Sequence, residues 1–238
     1  MYQELIDQMF LDDPNNEDRS GDMKLHPSAI SGCERNAIYS ARGEEVSNPR
    51  DVRFTRIMGN GTMFHSRLQA YLLTRFPGII LEAPVKWGPI SGSADALLPR
   101  DEFGPLDAIV YQLQEYKTIS PNGKRFLQPS RGKGAKYPPR DGGPKPEHVT
   151  QTRIYYLGLS KMGTVLTDTI RIVYIDRDDW STLEFEVEPW TKEEGEAYLE
   201  TLAELEAHLM DGTLPDKKPD SYWLCKMCEF RTVCKGWE

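Results

Sequence analysis

The chain has 238 residues, 29 Lys and Arg against 37 Asp and Glu, and a net charge of −8. That length allows one large domain with its own core or two small ones. The acidic balance argues against a protein that coats nucleic acid over its whole surface. No apolar run approaches membrane-spanning length, and the acidic start "MYQELIDQMFLDDPNNEDRSGD" lacks the basic and apolar regions of a signal peptide, so the expectation is a cytoplasmic protein.

In chain order, "HPSAISGCERNAIYSAR" reads as a short helix within residues 25–42, with Ser28 as N-cap after Pro27. "MGNGTMFHSRLQAYLLTRF" is a second helix, with Phe64, Leu68 and Leu72 at helical spacing. "GIILEAPVKW", "ISGSADALL" and "AIVYQLQEYKTI" are β-rich runs bounded by Gly and Pro, and they read as consecutive strands. The Gly, Pro and basic stretch 121–146 reads as a loop without regular structure. From Pro121 to Glu147 it carries seven basic and two acidic residues, 7 − 2 = +5, which leaves −13 for the rest. "EHVTQTRIYYLGLSKMG" returns to helical spacing and ends on Gly163. "TVLTDTIRIVYID" and "TLEFEVEP" are two more strands. "TKEEGEAYLETLAELEAHLMDG" is a helix with a Thr191/Glu194 capping box and a closing Gly212. The order predicts a single α/β domain over 1–238, a central mixed sheet flanked by helices. Its core is expected over 58–190, followed by a tail over 221–238.

Chemistry concentrates on two strands. Alternation puts Leu113, Glu115 and Lys117 on one strand face and Gln114 and Tyr116 on the other. A Glu–Lys pair two apart could be a plain surface pair, but Asp95 in "SGSADALL" sits among small and apolar residues and would be costly to bury without a cation. Two acidic residues on neighbouring strands make a hard-oxygen site suited to Mg2+ or Mn2+, which activates a bound water against a phosphodiester. A lysine beside it offsets the charge that builds on the phosphate. His65 follows apolar Phe64 and by itself reads as structural. Gln151 and Tyr155, four apart, share a helix face. The basic stretch, with Lys124, Arg125, Arg131, Lys133, Lys136 and Arg140, reads either as a solvated loop or, with Phe126 and Tyr137 able to stack on bases, as a flap tracking single-stranded DNA.

The tail "WLCKMCEFRTVCKGWE" holds Cys225, Cys228 and Cys234, and the fourth cysteine, Cys33, lies 192 positions before Cys225. Four thiolates suit either zinc or an iron–sulfur cluster. The isolated Cys33 makes a local zinc ribbon a poor fit, and ligation would staple the first helix to the tail.

Taken together, "GTMFH", "GSAD", "EYK" and "QTRIY", flanked by one cysteine before and three after, resemble the RecB-like branch of the PD-(D/E)XK nuclease superfamily. Within it they resemble the iron–sulfur subset that includes the Cas-four-like and AddB-type nucleases. The resemblance implies a restriction-endonuclease-like core, with His65, Asp95 and Glu115 as metal ligands, Lys117 as catalytic lysine, and Gln151 and Tyr155 supporting the site and placing DNA. It also implies a 4Fe–4S cluster on Cys33, Cys225, Cys228 and Cys234 that joins the N- and C-terminal segments. The expected activity is a divalent-metal-dependent DNA nuclease, an exonuclease acting on single-stranded DNA or DNA ends. Partners would belong to a recombination, repair, replication or CRISPR adaptation (spacer-acquisition) complex. The alternative is a non-catalytic, cluster-bearing DNA-binding or adaptor subunit of such a complex.

Overall fold

A computed structural model of the chain describes residues 2–12, 20–103, 108–132, 140–216 and 222–234. They group into two compact units. One comprises Met1–Met63, Lys86–Gly92 and Thr191–Glu238, the other Phe64–Val85 and Ser93–Trp190. Among the described residues no helix is long and apolar enough to cross a membrane.

The sheet runs β1 (Ile80–Trp87), β2 (Ile90–Phe103), β3 (Ile109–Ile119), β4 (Ile170–Asp176) and β5 (Thr182–Val187), in that spatial order. β2 and β3 pair antiparallel, as do β4 and β5, whereas β3 and β4 are parallel. A parallel pair cannot close through a tight turn. The chain therefore crosses over through α5 (Pro121–Leu127) and α6 (Pro146–Lys161) before β4. The sheet is mixed because of this one crossover.

Strand alternation then divides the sheet's side chains. Ala96, Tyr116, Val173 and Ile175 form one buried face, covered by Phe64, Leu68 and Leu72 of helix α4 (Val52–Arg75). Leu113, Glu115, Ile172 and Tyr174 belong to the opposite face and are almost wholly buried. That face receives α6, which turns Gln151, Ile154, Tyr155, Gly158 and Leu159 inward. Contact is close enough that a Cβ on Gly158 would lie 2.5 Å from Val85 Cγ1. Each large apolar side chain buried in this way contributes about 1.5–3 kcal/mol.

The other unit holds α1 (Tyr2–Leu11), α2 (Pro27–Ile30), α3 (Glu34–Arg42), the first half of α4, α7 (Lys192–Asp211), α8 (Tyr222–Lys226) and α9 (Arg231–Cys234). α7 is as expected. The Thr191 side chain accepts from Glu194 N–H at 3.2 Å, Glu194 Oε2 accepts from Thr191 N–H at 2.9 Å, and Gly212 closes the helix at φ 86°.

Three expectations are corrected. The helix expected within 25–42 is two helices, and Ser28 lies inside the first, with His26 as its N-cap. Cys33, extended at φ −152° and ψ 117°, breaks the run after Gly32 and becomes the N-cap of α3. The stretch 121–146 is not irregular throughout. Ser120 caps Gly123 N–H at 3.1 Å, and Pro121, with φ preset for a first turn, starts α5. α4 begins at Val52, six residues ahead of the expected start, with Asp51 Oδ1 accepting from Phe54 N–H at 2.8 Å.

Candidate active site and cysteine cavity

Strand geometry assembles the first site. The β2–β3 ladder runs to the pair Ala96↔Gln114. Beyond it, Tyr116 N–H donates to Asp95 Oδ2 at 2.7 Å, so a carboxylate takes a donor that a strand carbonyl would otherwise occupy. Asp95 is 8% exposed and Glu115 only 1%. On β3, Lys117 Nζ donates to Glu115 Oε1 at 2.7 Å and to Gln151 Oε1 at 3.1 Å. Gln151 Nε2 donates to the same Glu115 oxygen at 3.0 Å and toward Tyr155 OH at 3.4 Å. α6 thereby fixes the orientation of both the glutamate and the lysine. His65, on α4, brings Nδ1 to 3.8 Å from Asp95 Oδ1 and sets its ring edge-on to Tyr116. Of the six residues expected to form the active site, Glu115, Lys117, Gln151 and Tyr155 are joined in one hydrogen-bonded network, and Asp95 with His65 stands close enough for their charges to act on it.

Its electrostatics follow from burial. Burial, and then the neighbouring Asp95, push the Glu115 carboxyl up to about 7 even though Lys117 opposes the shift. Burial raises Asp95 to about 6 against the pull of Lys117 and the Tyr116 N–H. Burial also disfavours the Lys117 charge, but Glu115 and Asp95 outweigh it and hold the ammonium above its usual range. Burial and Lys117 lower His65, leaving a neutral imidazole with a lone pair to offer.

One atom stands out. Glu115 Oε1 accepts two hydrogen bonds, while Oε2 is buried and finds no hydrogen-bond partner among the described residues. An orphaned buried acceptor costs about 1–3 kcal/mol, more when charged. A hard cation between Asp95 and Glu115 would remove that cost, and the donor set, two carboxylates and a neutral imidazole, suits Mg2+ or Mn2+. Among the described residues no three His, Cys, Asp or Glu side chains are gathered closely enough to hold an ion as they stand. Binding would have to draw the ligands together.

Sequence reasoning missed several neighbours. Glu82 on β1 adds negative charge felt by both Asp95 and His65, and it is held by Gln69 and Ser93. Its left-handed backbone, φ 47°, left no trace in a β-rich run. Gln114 accepts from Tyr116 OH at 2.8 Å. His148 sits 2.8 Å from Tyr174 OH, and burial with Lys117 and Lys145 lowers it to about 3, so it is neutral.

The basic residues divide. Lys124 is turned inward, where Nζ reaches the Ser181 hydroxyl and carbonyl and lies 4.0 Å from Asp176. Arg140 donates to the Arg125 carbonyl at 2.6 Å and stacks over Phe126, tying the two ends of the segment together. Arg125 and Arg131 are exposed, and Lys133, Lys136 and Tyr137 lie outside the described residues.

In the other unit, Cys33, Cys225, Cys228 and Cys234 line a single cavity of about 430 Å³, with Asn36, Tyr39 and Arg50 among its walls. Cys228 Sγ accepts from Asn36 Nδ2 and from Phe230 N–H, both at 3.4 Å. Burial, with added repulsion from Cys228 and Cys234, raises the Cys33 thiol above its usual pKa. A metal taking the charge would offset that cost for Cys33.

Residues 90–235, more than half of the chain, match the family model for the PD-(D/E)XK nuclease superfamily. The fold is similar to that in the crystal structure of SSO0001, with a TM-score of 0.58 and 20% identity over 100% of this chain and 98% of that one. None of the curated proteins matches the chain.

Proposed function

The chain belongs to the PD-(D/E)XK nuclease superfamily, and on that premise we propose that it is a divalent-metal-dependent DNA nuclease that trims single-stranded DNA or DNA ends, with a 4Fe–4S cluster in the unit that holds the cysteines. The observation that carries the catalytic part is the orphaned Glu115 Oε2 beside a glutamate–lysine–glutamine network. Asp95, Glu115 and His65 would hold Mg2+ or Mn2+. Bound there, the ion supplies an activated water and polarises the phosphate. The protein's own groups do the remainder. Gln151 holds Glu115 Oε1 so that Oε2 is left for the ion. Lys117, kept charged by Glu115 and Asp95, stands where it can orient the attacking water and offset charge on the phosphoryl oxygens. Tyr155 supports Gln151.

The four cysteines line one cavity; a cluster is preferred to a single zinc ion because the isolated Cys33 makes a local zinc ribbon a poor fit and because of the resemblance to the iron–sulfur subset. Cys33, Cys225, Cys228 and Cys234 would be the cluster's ligands, and its role is to join two segments far apart in sequence. Arg125 and Arg131, exposed, support a DNA path along the basic segment, and on the resemblance protein partners would belong to recombination, repair, replication or spacer acquisition.

The test is cleavage of end-labelled single and double strands with Mg2+ or Mn2+, using Glu115→Gln and Asp95→Asn. Both variants should lose about 10²–10³-fold or more in rate and no longer gain thermal stability from Mn2+. Cutting at wild-type rate by both would overturn the assignment and favour the adaptor reading.

A further inference from the structure

The turn between β4 and β5 carries an aromatic group that the catalytic network does not use. Trp180 is 42% exposed and has a left-handed backbone, φ 61°. Glycine or asparagine fills such a position at lower cost. The turn is nonetheless held firmly, because Trp180 N–H donates to the Asp176 carbonyl at 2.8 Å. The indole stacks on Phe64 with centroids 4.3 Å apart, and the exposed Arg67 guanidinium lies over the ring at 5.8 Å. Strain at an exposed aromatic, kept in place by its surroundings, points to use.

Its position is informative. Phe64 immediately precedes His65 on α4. On the parallel strands, Lys117 pairs with Tyr174 and Ile119 with Asp176. The turn therefore begins two residues, about 7 Å, beyond the catalytic lysine. It follows the carboxyl ends of parallel strands, where open α/β sheets take their ligands.

We propose that Trp180 is a stacking platform for an unpaired base of the DNA strand, a nucleotide or two from the phosphate being cut, with Arg67, whose guanidinium lies over the ring, as its neighbour. The inference rests on the nuclease reading and deepens it, since it supplies a reason for choosing single strands. The occupant is a base and not a phosphate. Asp178 and Asp179 are exposed on the same turn and repel phosphate, whereas an uncharged ring face meets a base directly. In a duplex the bases are stacked on one another, so only an unpaired strand or a frayed end can supply one.

The experiment is a metal-free titration in EDTA, with an oligothymidylate and an abasic oligomer of equal length, on wild type, Trp180→Phe and Trp180→Gly. Trp180→Gly relieves the turn's backbone while removing the ring. It should bind oligothymidylate roughly 5- to 150-fold more weakly and the abasic strand unchanged, with Trp180→Phe in between. Equal weakening on both strands would mean that the ring acts through the fold, and no weakening on either would mean that it is idle. Each overturns the proposal. Because no metal is present, the two readings fail separately. Base-dependent binding without any metal-dependent cleavage overturns the nuclease assignment and leaves the platform. Cleavage with base-independent binding overturns the platform alone.

Discussion

Replacing Lys117 by methionine removes a cation that touches Glu115 while keeping most of the side chain's volume. In the intact protein the Glu115 carboxyl, raised to about 7 by burial, is already costly to ionise. A carboxyl whose folded pKa lies above its unfolded value stabilises the fold below the unfolded pKa, near 4.5, and loses that contribution as pH rises through about 7. Without the ammonium, Glu115 and Asp95 face each other unopposed and both shift higher still. The penalty of the substitution should therefore depend on pH. At about pH 5 both carboxyls are largely protonated, and the loss is limited to a hydrogen bond or two, about 1 kcal/mol. At about pH 8 the variant must either ionise buried carboxyls without a partner or take up protons, at a cost of about 3–5 kcal/mol. Urea unfolding in EDTA at the two pH values reads both quantities. A loss of equal size at the two pH values would refute the coupling between Lys117 and the carboxylates. DNA cleavage by the variant should fall about 10²–10⁴-fold at either pH.

Three further outcomes are expected. Cys33→Ser should purify with little iron and without the visible absorption of a cluster; full iron content with unchanged thermal stability would remove Cys33 from the ligand set. Gly158→Ala places a methyl group 2.5 Å from Val85 Cγ1 and should cost about 1–3 kcal/mol in urea unfolding. Adding Val85→Ala should recover part of that loss, and strict additivity would show that the contact is not the cause. Thr191→Ala removes the side-chain acceptor for Glu194 N–H while keeping the backbone donor to Glu194 Oε2, and should destabilise the protein by about 1 kcal/mol, a change that thermal unfolding resolves and that should leave cleavage untouched.

Much of this was legible along the chain. Five strands, the capping box of α7 and the facing of Glu115 with Lys117 depend on local rules of period and capping, and the structure reproduces them. Other features were not. The acidic first segment forms α1, which packs Phe10 so closely that a Cβ on Gly59 would lie 2.5 Å from the ring; nothing local distinguishes it from a solvated tail. The break at Cys33 was hidden because a single extended residue barely alters helical periodicity. Lys124 looked like its basic neighbours, yet it is committed to Ser181 and Asp176, 52 or more positions away.

The sequence by itself determined which strand face Glu115 and Lys117 share, because alternation across a strand is a property of consecutive residues. Only tertiary structure decided that Glu115 Oε2 would be buried without a partner among the described residues, that Cys33 would share a cavity with cysteines about 200 residues later, and that Trp180 would stack on Phe64 beside His65. Those outcomes depend on burial and on contacts between distant segments. They arise when the sheet, the crossover and the helices close on one another, and no window of the sequence contains them.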